Sequence, residues 1–394
     1  MAVQSKQGAV AELLGRLVAC PSVNPGGGAP GPDGGELRMA TLLGDMVRPW
    51  GADTRVIDLG LGRCTFLATW PGKQPERTLL LDAHADTVTI EGMTIAPFDP
   101  VVRGGRLYGR GACDTKGGMA AMLLAIRSIL DADGEPPVTL RFVATGDEED
   151  GAKGAAQLVG TGLRADGAIV AEPTDLRIVT AHRGVARFSI VLGGRAAHSS
   201  VPASGINAVE AAAVLVDALR RDFATRFACR AYPGLESPTV CVTMIEGGTR
   251  INIVPDRCRI GVDCRCLPGE TREHLERAMR DCLDTLCESW PGLTAASDLY
   301  QWYPAMAGQP DDAFAACMRA GCADALGDVT CTTAPYGTNG GHFSAAGIPC
   351  IVFGPGSIEQ AHTADESVEL EQVARAVDAY AGMIRAFGRS THGG

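Results

Sequence analysis

Histidines and carboxylates gather at the ends of apolar runs along this chain. His84 and Asp86 follow LLLDA, and Asp114 lies in GRGACDTKGG. Glu148 and Glu149 lie in TGDEEDGAKG, Glu172 in IVAEPTD and His362 in AHTADE. Imidazole and carboxylate groups suit Zn²⁺ and related divalent cations, and one carboxylate can bridge two ions. Any one of these residues alone is ordinarily a cap or a solvated loop residue, and DEED alone an ordinary charged turn. Only the set points to a metal pair. Alternate residues of a strand face one side, so His84 and Asp86 are expected to share a site. GRGACD is also a near miss for a dinucleotide fingerprint. It carries Asp114 where the third glycine belongs, which excludes a dehydrogenase of that kind.

Such residues need strand ends to hold them. Residues 1–182 alternate between helical stretches (9–19, 37–49, 118–131) and short apolar strands (78–83, 138–144, 167–171). That pattern predicts an α/β layer with a mostly parallel central sheet flanked by helices, whose strand carboxyl ends bind ligands. The pattern then changes. Strands are expected at 184–194, 239–247, 257–266 and near 293–300, with helices at 206–221 and 270–289. Strand-helix-strand-strand-helix-strand is the ferredoxin-like order. Helices at 311–325 and 368–387 and a strand at 349–354 restore the first pattern. The chain thus reads as a catalytic domain (1–183 and 302–394) interrupted by an inserted α+β domain (184–301). The glycine-rich segment 25–35 reads as a surface loop.

Composition narrows the partners. A chain of 394 residues has room for two domains, and a net charge of −11 excludes a basic nucleic-acid face. No apolar run approaches the roughly 20 residues of a membrane span, and the first residues lack a signal-peptide pattern. The fourteen cysteines are scattered without a CxxC pair. They read as small buried side chains in a reducing compartment, so a cytoplasmic location is expected.

Eight stretches in order carry a family resemblance: LLLDAHADTV, YGRGACDTKGGMAA, TGDEEDGAKG, AEPTD, GRAAHSSVPASGINA, INIVPD, DCRCLPGE and GPGSIEQAHTADESV. Together they resemble the M20 metallopeptidases, a family that includes acetylornithine deacetylase, succinyl-diaminopimelate desuccinylase, aminoacylase and glutamate carboxypeptidase. The resemblance covers nearly the whole chain. It implies that His84 and Glu172 bind one metal, Glu149 and His362 the other, and that Asp114 bridges both, followed by a cis peptide to Thr115. It makes Glu148 the general base and has Asp86 hydrogen-bond behind His84 to fix its tautomer. Two divalent ions are implied, Zn²⁺ first, with Co²⁺ or Mn²⁺ able to replace it.

The resemblance also implies a homodimer formed through the inserted domain, with His198 reaching the partner's active site to stabilise the oxyanion. Arg265 would bind a substrate carboxylate, unless it simply pairs with Asp263. Asn252 would lie near the substrate, and Thr338 and Asn339 in the glycine-rich loop YGTNGG would line it. Asp147 and Asp150 read as solvated charges, His342 as a loop residue, and His182, His274 and His392 as structural. The expected substrate is a small N-acyl amino acid cut at its amide bond, with a dipeptide or the peptide of a carboxypeptidase as the alternative. A non-catalytic relative would lack a ligand or the base, and none is missing here.

Overall fold

The computed structural model describes residues 3–26, 35–223 and 230–390. Most of the glycine-rich segment 25–35, and His392, lie outside them. The chain divides into two compact units. One comprises Met1–Ala181, Met306–Thr333 and Thr338–Gly394; the other comprises His182–Ala305 with Ala334–Gly337.

The first unit opens with helices α1 (Val3–Val18) and α2 (Gly35–Val47). Val10, Leu13, Leu14, Leu17 and Val18 of α1 are all buried, an apolar stripe at helical spacing. Then come a hairpin of β1 (Asp53–Gly60) and β2 (Arg63–Trp70), β3 (Gln74–Asp82), and a ribbon of β4 (Val101–Arg103) and β5 (Arg106–Tyr108). Helix α3 (Gly117–Asp133), β6 (Val138–Ala144), α4 (Lys153–Gly160), β7 (Gly167–Val170) and β8 (Ile178–His182) follow. The inserted stretch holds β9 (Gly184–Gly193), β10 (Ala197–His198), α5 (Ala208–Ala218), β11 (Thr239–Gly247), β12 (Ile253–Val254), β13 (Arg257–Cys266), α6 (Arg272–Ser289) and β14 (Thr294–Tyr303). The chain closes with α7 (Ala313–Leu326), β15 (Cys331–Ala334), α8 (Gly340–Ala345), β16 (Cys350–Val352), β17 (Ser367–Glu369) and α9 (Leu370–Arg389).

Eight strands form the main sheet, in the order β1-β2-β6-β3-β7-β16-β8-β15. Its centre, β6-β3-β7-β16, is parallel, while β1, β2 and β8 join antiparallel. Central strands covered on both faces must be apolar throughout, and every residue of β7 is buried. The helices α1, α3, α7 and α9 pack with one another and with this core. The β1–β2 hairpin has no counterpart in the sequence reading, because β1 is a polar, largely exposed edge strand (DTRVIDLG) with no apolar run to mark it.

The second unit has a four-stranded antiparallel sheet in the order β11-β13-β9-β14. With α5 and α6 this is the ferredoxin-like order expected. Asn207 caps α5 through the amides of Val209 and Glu210, and Thr271 caps α6 through that of His274. Those caps set where the helices begin. Along β13, Cys258, Ile260, Val262, Cys264 and Cys266 are buried with the helices' apolar residues, while Asp263 and Arg265 stand on the opposite face.

Candidate metal centre

Four neighbouring parallel strands end on one edge of the sheet, and their following loops carry the chemistry. His84 follows β3, Glu148 and Glu149 follow β6, Glu172 follows β7, and His362 lies beyond β16. Asp114 enters from the loop before α3, through a cis peptide to Thr115. Thr115 Oγ1 donates to the Ala171 carbonyl at 3.0 Å, tying that loop to the end of β7. Gly118 makes the approach possible, since a Cβ there would stand 2.7 Å from the Ala171 Cβ.

Ligand atoms of His84, Glu148 and Glu172 lie within 4.8 Å of one another, as do those of His84, Asp114 and Glu149. His84 Nε2 is 3.0 Å from Asp114 Oδ1. His362 Nε2 is 3.3 Å from Asp114 Oδ2 and 3.2 Å from Glu149 Oε2. Asp114 therefore has one imidazole on each carboxylate oxygen. The other carboxylates sit on either side of it. The sequence-predicted ligand positions all converge.

This cluster is rich in buried negative charge. Burial pushes Glu148 and Glu172 well above the usual carboxylate range, and neighbouring acids add to the push, Asp114 most for Glu172. Asp114 runs the other way: hydrogen bonds from His362 and His84 outweigh burial and hold it low. Its hydrogen bond to Asp114, then that to Glu149, raise His362 to about 10. Burial disfavours the charged His84 ring, but the Asp114 hydrogen bond and the Glu172 and Glu148 charges prevail and raise it. Glu149 Oε1 is buried with no hydrogen-bond partner among the described residues. Buried carboxylates demand compensation. Two imidazoles, four carboxylates and an orphan carboxylate oxygen are a donor set that a pair of divalent cations fits.

Asp86 departs from expectation. His84 Nδ1 donates to the Asp86 backbone carbonyl at 2.8 Å, and the Asp86 carboxylate stands 3.8 Å from that nitrogen. The tautomer that leaves Nε2 for a ligand is thus set by the backbone. The carboxylate instead accepts the amides of Glu148 (3.0 Å) and Glu149 (3.1 Å) and the Asn24 side chain (2.7 Å). It shapes the turn that presents both glutamates.

Asp147 is not solvated as the sequence suggested. It is fully buried, 2.6 Å from Arg63 Nη2, which also pairs with Glu36 at 3.0 Å. Asp147 and His362 both adopt positive φ, a conformation that costs a non-glycine residue energy and clusters at functional sites. Thr338 and Asn339 do not line a substrate loop. Asn339 is buried, and its amide donates to Asp82 (3.0 Å) and Thr145 (2.7 Å). Thr338 is buried too, with its hydroxyl accepting the Gly340 amide at 3.0 Å where α8 begins. Gly340 packs against Met306, so its missing side chain serves packing and not a ligand's approach.

Glu366 is the residue the sequence reading missed. It is buried and accepts the amides of Gly111 (2.9 Å), Cys113 (2.9 Å) and Asp114 (3.0 Å), besides pairing with Arg110 at 2.8 Å. One carboxylate thereby fixes the loop carrying the central aspartate. The only sequence signal is an acid four residues after His362.

In the second unit, β10 pairs with β12, and the Ser199 amide donates to the Asn252 carbonyl at 3.0 Å, so His198 and Asn252 are close neighbours. Both are exposed. His198 Nδ1 accepts the Ser200 amide at 3.2 Å and meets its hydroxyl at 2.8 Å. A backbone amide can only donate, so the neutral ring keeps its proton on Nε2. Arg265 lies apart from that pair on β13, with Nε donating to Asp263 at 2.8 Å.

A parallel-sheet edge gathering this donor set is a candidate centre for divalent metal ions. The profile of peptidase family M20/M25/M40 matches residues 80–386, more than half of the chain. The chain belongs to that family of metal-dependent peptidases. Solved structures share its fold. An M20 family metallo-carboxypeptidase from Sulfolobus solfataricus superposes with a TM-score of 0.80 at 19% identity, covering 96% of this chain and 99% of its own. Aminopeptidase PepT from Bacillus cereus gives 0.76 at 22% identity, covering 96% and 98%. A dinuclear metal-binding M20 peptidase from Bacillus subtilis gives 0.69 at 18% identity, covering 97% and 98%.

Proposed function

We propose that this enzyme hydrolyses the amide bond of a small N-acyl amino acid with two divalent cations, Zn²⁺ before Co²⁺ or Mn²⁺. The observation that carries the reading is Asp114, held between two imidazoles with three further carboxylates around it. His84 and Glu172 would hold one cation, Glu149 and His362 the other, and Asp114 would bridge them. When bound, the pair supplies Lewis acidity, lowering the pKa of a shared water and polarising the scissile carbonyl.

The chain's own residues do the rest. Glu148 takes a proton from the attacking water and returns it to the departing amine nitrogen. Water's oxygen ends in the released acid and its protons are shared between the products. Asp86 holds the backbone of Glu148 and Glu149 in place during these transfers.

The same reading gives a homodimer through the inserted unit. Its edge strand β11 pairs only with β13 among the described residues, and Met244 and Ile245 on it are about half exposed (51% and 52%). An exposed apolar edge is a template for a second copy. His198, with its proton on Nε2, is a donor suited to an oxyanion in the partner's site. Every cysteine among the described residues is free, which supports a cytoplasmic location. No helix among those residues is long and apolar enough to cross a membrane.

Metallo-carboxypeptidase or dipeptidase action is the second reading, favoured by the names of structural neighbours such as human carnosine dipeptidase 1. The test is a hydrolysis panel of N-acetyl, N-succinyl and N-carbamoyl amino acids beside dipeptides, with bound metal quantified. Turnover confined to one acyl class supports the first reading. Turnover of dipeptides alone promotes the second. Neither metal nor turnover refutes both.

A further inference from the structure

One carboxylate in the inserted unit carries two guanidinium groups. Asp263 Oδ1 accepts Arg265 Nε at 2.8 Å, and Oδ2 accepts Arg187 Nε at 2.9 Å. Arg187 Nη1 donates to Gln301 Oε1 at 2.6 Å, and Gln301 Nε2 donates to Tyr303 Oη at 3.1 Å. The strand register lays Gln301, Arg187 and Asp263 in one row across β14, β9 and β13. Arg265 stands two residues further along β13, on the same face.

Two consequences follow from this row. A free arginine can take a carboxylate side-on, through Nε and one terminal nitrogen, or end-on, through both terminal nitrogens. Asp263 occupies the Nε edge of Arg265, so only the end-on fork is offered. The terminal nitrogens of Arg265 have no partner among the described residues, and the side chain is 27% exposed. The row also carries two positive charges to one negative, a surplus that a single carboxylate would balance.

We propose that Asp263 is the positioning residue of the substrate-carboxylate site, fixing Arg265 end-on and leaving one net positive charge on the face. The site then selects substrates with one free carboxylate at that position over their carboxamides. This rests on Arg265 being the carboxylate-binding residue.

The experiment compares KM and kcat for one turned-over substrate and its carboxamide, in wild type and in Arg265→Ala, Asp263→Asn, Asp263→Glu and Arg187→Gln. Arg265→Ala is expected to abolish the preference for the free carboxylate. Asp263→Asn is expected to raise KM for the carboxylate substrate about tenfold, the worth of one charged hydrogen bond, with kcat and the carboxamide little changed. Asp263→Glu should recover part of the loss. Charge alone predicts the reverse, because deleting an anion beside two arginines would lower KM. A lowered or unchanged KM in Asp263→Asn therefore overturns the positioning role while leaving Arg265 in place. An unchanged preference in Arg265→Ala removes both together. Arg187→Gln guards against a misfolded Asp263 variant: it erases the surplus charge and should raise KM a few-fold, and an unchanged KM there refutes the charge balance.

Discussion

Asp114 and three further carboxylates face two imidazoles in a site where Asp114, Glu148 and Glu172 are each less than a tenth exposed. Around Asp263, two guanidiniums share one carboxylate on a half-buried sheet face. The first arrangement is costly, because buried charge of one sign is tolerated only when cations or protons compensate it. The second is inexpensive, because solvent screens it and each guanidinium already has a partner. A deep surplus of acid suits resident metal ions. A shallow surplus of base suits an anionic group that must arrive and leave at every turnover. If Arg265 takes the substrate carboxylate, as proposed, the two units divide durable binding from transient binding by depth as much as by sign.

Glu148 is where that division can be broken most severely. It clusters with His84 and Glu172, so geometry alone would let it serve as a ligand and not as a base. Glu148→Ala is expected to lower kcat by about 10²–10⁴, the usual worth of general acid–base catalysis, while the protein keeps both metals. Metal content by elemental analysis and kcat on the same sample decide the matter. Loss of a metal with the activity would move Glu148 into the ligand set, and an undiminished kcat would remove it from the chemistry.

Glu366 sharpens the comparison at a smaller scale. Its carboxylate accepts three amides from the loop bearing Asp114. In Glu366→Gln, one acceptor oxygen becomes an NH₂ group facing a backbone N–H, so at least one of these bonds is lost. Metal affinity, measured by competition with a chelator, is expected to fall about 10–100-fold, as it does when groups that orient ligands are removed. The carboxylate-over-carboxamide preference proposed for Arg265 should not change. Undiminished affinity would mean that the loop holds Asp114 without Glu366.

His84, Glu148, Glu149 and Glu172 were legible because each follows a strand, and parallel strands bring their ends to one edge; Asp114 and His362 enter from other loops and were legible from the family motifs. The inserted unit was legible because period-two alternation along β9 and β13 survives intact. What escaped had partners that leave no trace in sequence. Glu366 binds backbone amides more than 250 residues away, and amides have no residue type to read. Asp147 looked like an exposed turn because its partner Arg63 lies on the unmarked hairpin. The alternation argument for His84 and Asp86 failed because β3 ends at Asp82, so neither is on a strand. Asn339 sits among glycines that resemble a loop, yet its amide goes to Asp82 behind the site.

The gentlest test concerns a charge that the end of β8 excludes. His182, fully buried, donates from Nδ1 to the Arg183 carbonyl at 3.0 Å, and burial lowers its pKa to about 4. The unfolded chain has an ordinary histidine there, titrating near 6.5. Between those values the unfolded state binds a proton that the folded state refuses, so stability falls as pH drops through 6.5 and levels off below about 4. At pH 5 this residue alone should cost about 2 kcal/mol relative to neutral pH. His182→Gln removes the titration, so its loss of stability between pH 7 and pH 5, by urea unfolding, should be smaller than the wild type's by about that amount. The comparison is between slopes, so any fixed cost of the substitution drops out. Equal acid sensitivity in the two proteins would show that His182 is protonated as readily when folded as when unfolded. The end of β8 would then tolerate a buried positive charge, and the contrast with the acid-rich centre would be one of sign alone.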